Sequence, residues 1–266
     1  MIRARMTAAA AVVALASIPV SSQWLRYPTP GIPRLADGKP NLSAPVPRGG
    51  RRPSRSHRRL GSARRSRHAD RRAHPLEVRL QPGVDLPGGS APFQPWAREV
   101  WNARQKELGV GAPSEKCLPH GIPDAMLTRT LPFKLVQTPG VTIILFEEFN
   151  NWRQVFTDGR PHPIDPEPAW LGYSVGRWEK DEFVIDSTGF NDKSWLDAGG
   201  TPHTEALRTT ERFRRHDFGH MDIEFSFDDP KTFTRPWSAT VKFILLADTD
   251  LLENHCENNK WKPEGR

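Results

Sequence analysis

Apolar and polar residues alternate through much of the second half of the chain, and this pattern predicts β-strands. A single helix is predicted before them, over residues 94–108, with Pro95 in its first turn and Gly109 after its end. Consecutive strands separated by turn residues favour a mainly β fold: an antiparallel meander that forms a lipocalin-like barrel or a strongly curved sheet. The predicted strands are 133–137, 141–147, 152–157, 171–178, 183–188, 207–215, 219–228, 237–246 and 250–256.

The hairpin between 207–215 and 219–228 allows a prediction of register. A three-residue loop at 216–218, with Gly219 at positive φ, would set Phe213 opposite Met221, so that apolar side chains meet. Glu211 then becomes the one charge on the inner face, where an unpaired carboxylate is costly. Its candidate partners are His203, Arg153 and a ligand.

The N-terminal residues predict export. Residues 1–23 have the form of a signal peptide: basic residues, then a short apolar run over 7–18, then small residues before Gln23. The run is short for a bilayer span, although a retained anchor is the alternative. We therefore expect a periplasmic or secreted protein with no membrane span after signal removal. Residues 24–47 are rich in proline and predict an extended arm.

Export would place the two cysteines of the chain, Cys117 and Cys256, in an oxidising compartment. In an oxidising compartment they are expected to form a disulfide, and the alternative is a pair of buried free thiols.

Charge is distributed unevenly along the chain. The formal net charge is +7, yet residues 48–79 alone hold 12 Arg against two acidic residues, and residues 80–266 carry more acidic than basic side chains. An exported protein with an acidic body argues against a nucleic-acid partner. Residues 48–90 are interpreted either as a disordered basic tail or as a frameshifted segment. A one-base shift of permissive codons over 49–61 allows Ala-Asp-Gly-x-Pro-x-x-Leu-Thr-Gly-Val-Trp, which nearly repeats residues 36–43. Residues 91–266 would then form the β-barrel-like domain with its N-terminal helix.

Several segments resemble an uncharacterised family of exported bacterial proteins. They are Ala-Asp-Gly-Lys-Pro-Asn-Leu-Ser, Pro-Phe-Lys-Leu-Val-Gln-Thr-Pro-Gly, Phe-Thr-Asp-Gly-Arg-Pro, Trp-Leu-Gly-Tyr-Ser-Val-Gly-Arg-Trp-Glu, Thr-Gly-Phe-Asn-Asp-Lys-Ser-Trp-Leu-Asp and Thr-Glu-Arg-Phe-Arg-Arg. The likeness covers 24–47 and 91–266. The resemblance implies a second Ala-Asp-Gly-Lys-Pro-type segment followed by Gly-Val-Trp, where this chain has its Arg-rich run. It implies a lipocalin-like strand pattern but no function.

The loop over 189–206 is the strongest candidate for chemistry, since long loops at barrel rims often cover binding sites. His203 and Glu205 are two residues apart and would face the same way in an extended chain, as an acid/base pair requires. Asp197 or Asp192 could complete the set, and Glu211 is the third candidate catalytic residue. The alternative is an ordered structural loop. The pattern predicts no metal site and identifies no cofactor.

Candidate ligand-binding residues are Trp170, Trp195, Asp197 and Arg153, although aromatic residues in strands more often belong to the core. Three functions follow. The first is a binding protein for a small apolar or amphipathic molecule. The second is an enzyme of hydrolase or isomerase type that uses His203 with Glu205 or Asp197. The third is a structural protein of the cell envelope. A deep pocket containing His203 would favour the first two, and a filled barrel the third.

Overall fold

A computed structural model describes residues 28–46, the backbone of 75–76, and residues 91–107, 110–128 and 131–256. The predicted signal peptide and nearly all of the Arg-rich segment lie outside these residues. Both therefore stay predictions.

The described chain forms one curled sheet whose strand order follows the sequence. Eight of its strands, from Phe133 onward, make a mostly antiparallel meander in the shape of a half-barrel, as the alternation predicted. A short strand precedes them and pairs with the first. The strands are β1 Pro75–Leu76, β2 Phe133–Thr138, β3 Val141–Phe146, β4 Trp152–Phe156, β5 Tyr173–Glu179, β6 Glu182–Thr188, β7 Arg208–Arg215, β8 His220–Asp228 and β9 Trp237–Ile244.

Two features of the sheet differ from the prediction. The segment 250–256 is not a strand; it runs in irregular conformation. In addition, β4 and β5 pair in parallel, with Val155 opposite Ser174. A parallel pair needs a crossover connection, and residues 157–172 supply it. This segment, here called the crossing loop, contains four prolines, which favour an irregular path over another hairpin.

The register of the β7–β8 hairpin differs by two residues from the predicted one. Phe213 lies opposite Ile223 instead of Met221, and the loop occupies 217–219. A slip of two residues keeps every side chain on its predicted face, so Glu211 remains on the inner face. Gly219 does not adopt positive φ. It is needed for close approach, because a Cβ there would lie 2.5 Å from Leu42 Cβ.

Leu42 belongs to the N-terminal arm, whose described residues, 28–46, run through turns and one isolated bridge and pack against the sheet. The amide of Gly219 donates to Leu42 O at 2.7 Å, and the amide of Phe218 donates to Ala44 O at 2.7 Å. Ile32 and Ala44 are buried in the core. The arm thus covers the β7–β8 end of the half-barrel.

A packed core covers the concave face of the sheet. Alternate residues of β2, β3, β4, β6, β7, β8 and β9 point inward, and their buried apolar side chains include Phe133, Ile144, Phe183, Phe225 and Phe243. The rings of Phe133 on β2 and Phe243 on β9 meet edge to face at 5.5 Å, which brings the two ends of the meander together. The described half-barrel is therefore filled by its own side chains.

Helix α1, Pro95–Lys106, confirms the predicted helix, with proline at its start and Lys106 two residues before the predicted end. Ala97 is its buried residue. The helix carries Arg104, whose guanidinium lies 4.5 Å from the centre of the Trp195 ring. This contact fixes α1 against the loop that follows β6.

The predicted disulfide between Cys117 and Cys256 is present, with the two Cα atoms 5.5 Å apart. It links the segment before β2 to the C-terminal segment 250–256, which is irregular.

Candidate functional site

A fully buried ion pair lies inside the half-barrel. Glu211 on β7 accepts two hydrogen bonds from Arg153 on β4, at 2.7 and 3.0 Å, and the side chains are 0% and 1% exposed. Arg153 also donates to Ser174 at 2.9 Å and to Ser187 at 2.6 Å, so its guanidinium is enclosed by partners. Of the three partners predicted for Glu211, the structure identifies Arg153.

Ser174, with Gly172 and Gly176 on either side, fits the Gly-x-Ser-x-Gly pattern of a hydrolase nucleophile by letters, but its side chain belongs to this network. Ser174 lies within β5 and shares a hydrogen bond of 2.9 Å with Ser187, so it is a member of a buried polar cluster and not an exposed nucleophile. Gly176 is required by packing, because a Cβ there would lie 2.7 Å from the Val155 side chain.

The loop over 189–206 is ordered by internal hydrogen bonds. Asp197 accepts from the amide and the hydroxyl of Thr201, at 3.0 and 2.8 Å. Asp229, at the end of β8, accepts from the amide and the hydroxyl of Thr204. Trp195 is buried in the same loop. These contacts tie the loop to the sheet.

His203 is buried in this loop and paired with a serine. Its Nδ1 donates to the carbonyl of Thr204 at 3.2 Å, which leaves Nε2 to accept the Ser194 hydroxyl at 2.8 Å. Burial lowers the pKa of His203, so the imidazole is neutral at pH 7. A neutral histidine bonded to a serine hydroxyl is the arrangement of a base and a nucleophile. Ser194 and His203 are only 2% and 4% exposed.

The remaining predicted site residues lie in separate surroundings. Glu205 is exposed, whereas His203, two residues before it, is buried. Trp170 is half-buried, next to the bridge between Ala169 and Phe190. Within the described residues, no hydrogen bond or ion pair joins His203, Glu205 and Glu211. Their catalytic role stays a prediction.

A second buried charged cluster was not predicted. His120 lies between two carboxylates: its Nδ1 bonds to Asp124, and its Nε2 is 2.8 Å from Glu148. Thr128 donates to Glu148 at 3.2 Å. Glu147 and Glu148 follow directly after β3, where carboxylates are commonly solvated, but both are buried. The signal available in the sequence was the i, i+4 spacing of His120 and Asp124 around Pro123.

The charge state of this cluster follows from its contacts. Burial opposes the charge on His120, but the hydrogen bonds to Asp124 and Glu148 outweigh it and raise the pKa of His120 to about 10. Burial raises the pKa of Asp124 above its ordinary value. His120 is therefore an imidazolium at neutral pH, held between two acidic partners.

We expect the effect of His120→Gln on the free energy of unfolding to depend on pH, because His120 is charged in the folded protein. A histidine whose pKa rises on folding, here from 6.5 to about 10, contributes stability that is fully present below pH 6.5 and is lost as the pH rises through 10. Glutamine does not titrate, so the difference in unfolding free energy between the wild type and the variant should shrink across that window. Urea unfolding at a series of pH values measures it, and a difference independent of pH would contradict the assignment.

A cleft of about 500 Å³ opens on the outer face of the sheet, beneath the crossing loop. The turn from Gly159 to His162 forms its roof. Its floor is the outward-facing side of β5, β6 and β7. The side chains that line it beyond the roof include Val175, Arg177, Asp186, Thr188, Arg208 and Thr210.

The cleft combines charge with a small apolar surface. Arg160 in the roof pairs with Asp158 at 2.6 Å. Arg177 pairs with Asp186 and with Glu179. Apolar contact comes from Pro161 and Val175, which also line the cleft. The sequence did not predict this site, because a loop folded over the sheet leaves no signal in the alternation of residues.

Comparison with protein-family models, curated proteins and solved structures finds no match. No helix in the described part of the chain is long and apolar enough to cross a membrane.

Proposed function

We propose that this protein is an exported binding protein that holds a small amphipathic molecule against the outer face of its curled sheet. The observation that carries the proposal is the cleft of about 500 Å³ beneath the crossing loop. Ligand sites are concave, with apolar walls and a few placed polar groups. Val175 and Pro161 would contact the apolar part of the ligand, and the arginines and threonines its polar part.

The packed core supports a ligand site on the outer face rather than inside the half-barrel. A deep pocket containing His203 would have favoured a ligand inside the barrel, but the concave face is covered by core side chains and by the Arg153–Glu211 pair. A filled interior is also what a structural envelope protein requires. The outer cleft favours the binding protein.

Export is supported by the disulfide between Cys117 and Cys256. Disulfides persist in oxidising compartments and are rare in the cytosol. Periplasmic or extracellular location is thus part of the proposal, and mass spectrometry of the mature N-terminus tests it. Removal of residues up to about Gln23 is the expected result.

Blocking the cleft tests the binding function. Val175→Trp places a large side chain on the cleft floor, and Thr240→Trp places the same side chain on β9, away from the cleft. We expect native mass spectrometry to detect a small molecule bound to the purified wild type and to Thr240→Trp, but not to Val175→Trp. Equal occupancy in all three proteins would place the ligand elsewhere, and no bound molecule in any preparation would argue against a tightly bound ligand.

The second candidate function is a hydrolase, and the observation in its favour is the Ser194–His203 hydrogen bond of 2.8 Å. The burial of both side chains argues against it, because a substrate must reach the serine hydroxyl. We expect a fluorophosphonate probe, which reacts with activated serines, to leave Ser194 unlabelled. Labelling that disappears in both Ser194→Ala and His203→Ala would instead establish the enzyme.

A further inference from the structure

We propose that the cleft beneath the crossing loop recognises ligands that bear a carboxylate, and that the guanidinium of Arg208 is the anchor for that carboxylate. This inference rests on the proposed function and goes further, because it assigns the chemical class of the ligand and the residue that selects it.

The pairing of the three arginines in the cleft leaves one of them available. Arg160 is neutralised by Asp158, and Arg177 by Asp186 and Glu179. Arg208 forms no hydrogen bond or ion pair within the described residues. Asp228 stands opposite it across the β7–β8 pair, yet the two side chains form no ion pair. Arg208 lines the cleft with its guanidinium uncompensated.

The surroundings of Arg208 favour a ligand with a single negative charge. Asp186 lies in the cleft floor, where it accepts hydrogen bonds from Arg177 and, at 2.7 Å, from the Thr210 hydroxyl. Its carboxylate would repel a second negative charge. Burial lowers the pKa of His162, so the imidazole in the roof is neutral at pH 7 and adds no cation. The cleft therefore offers the guanidinium of Arg208, which has no acidic partner among the described residues, to a single anionic group.

The geometry of arginine suits this role. A guanidinium presents a planar fork of N–H donors that matches the two oxygens of a carboxylate. The apolar part of the ligand would lie against Val175 and Pro161. In the roof, His162 Nδ1 lies 3.3 Å from the Thr188 hydroxyl, and Nε2 is buried without a partner in the described part of the chain. A ligand that turns this ring could satisfy Nε2, so we expect the roof to adjust on binding.

Isothermal titration of the full-length, disulfide-bonded protein with matched probes tests the assignment. Hexanoate, hexan-1-ol and hexylamine share a chain and differ in the polar group, and inorganic phosphate tests a small anion without a chain. We expect hexanoate to bind most tightly. Arg208→Gln should weaken hexanoate binding by about 10- to 100-fold, as the loss of a hydrogen bond to a charged group implies.

Two variants make the result specific. Arg208→Lys keeps the charge without the planar fork, so its affinity for hexanoate should fall between those of the wild type and Arg208→Gln. Arg214→Gln removes another exposed arginine of the same strand and face, outside the cleft, and should bind hexanoate like the wild type. Its unchanged affinity would exclude a general loss of positive charge as the cause.

Other outcomes overturn the inference in distinguishable ways. If hexanoate and hexan-1-ol bind equally and Arg208→Gln changes neither, the cleft binds small molecules without recognising a carboxylate, and only the proposed function survives. Tighter binding of phosphate than of hexanoate would replace the carboxylate by another oxyanion. If no probe binds and no molecule co-purifies, the inference and the proposed function fail together.

Discussion

Arg153→Met is expected to destabilise the fold by about 3–5 kcal/mol, because it leaves the carboxylate of Glu211 buried without its cation. The two side chains are 1% and 0% exposed, so water cannot replace the lost partner without opening the sheet. Glu211→Gln should have a comparable effect by leaving the guanidinium unpaired. Guanidinium chloride unfolding of the disulfide-bonded proteins measures both.

The double variant Arg153→Met/Glu211→Leu provides the control for this pair. Removing both charges eliminates the uncompensated one, so the double variant should be more stable than either single variant. Arg214→Gln removes an exposed arginine that pairs with Glu182 on the outer face, and it should leave the unfolding midpoint nearly unchanged. Single variants as stable as the wild type would show that water solvates the Arg153–Glu211 pair.

The alternation of residues predicted strands β2 to β9 and the faces of the β7 and β8 side chains, but it also predicted a strand over 250–256 that the structure does not form. The inward position of Glu211 was correct even though the register of its hairpin was not, since a slip of two residues preserves the face. The loop position depended on Gly219 and its contact with Leu42, which is far away in sequence. Local pattern contains no information about such a contact.

The contacts within the two buried charged clusters could not be predicted from the local pattern either. The Arg153 side chain reaches Glu211 because β4 pairs in parallel with β5, an arrangement made by the crossing loop. His120 and Glu148 come from a loop and from the residues after β3, so no periodicity relates them. The outer cleft likewise depends on how the crossing loop folds back over β5 to β7. Periodicity therefore predicts strands, but it does not predict which residues the irregular segments bring together.

Removal of the disulfide is also expected to have a large effect on the free energy of unfolding. The replacement of both cysteines, Cys117→Ser/Cys256→Ser, should lower the free energy of unfolding by about 5 kcal/mol in the chain-entropy model, since the bond closes a loop between residues 139 apart. Guanidinium chloride unfolding of the oxidised wild type and of the double variant measures the loss, and the wild type treated with a thiol reductant should match the variant.

Removal of the disulfide should also lower the local stability of the C-terminal segment. Apart from the disulfide, polar contacts hold it: the amide of Leu252 donates to Glu147 at 2.8 Å, that of Asn254 donates to Asn150 at 3.2 Å, and Lys134 donates to Asp250 at 2.7 Å. Without the covalent bond these contacts must order the segment alone against its chain entropy. We therefore expect the amide of Leu252 to exchange with solvent faster in the double variant than in the wild type, while amides of β7 and β8 exchange only as fast as the lowered global stability allows. Unchanged protection at Leu252 would mean that the polar contacts suffice, and the stabilisation would then arise from the unfolded chain alone.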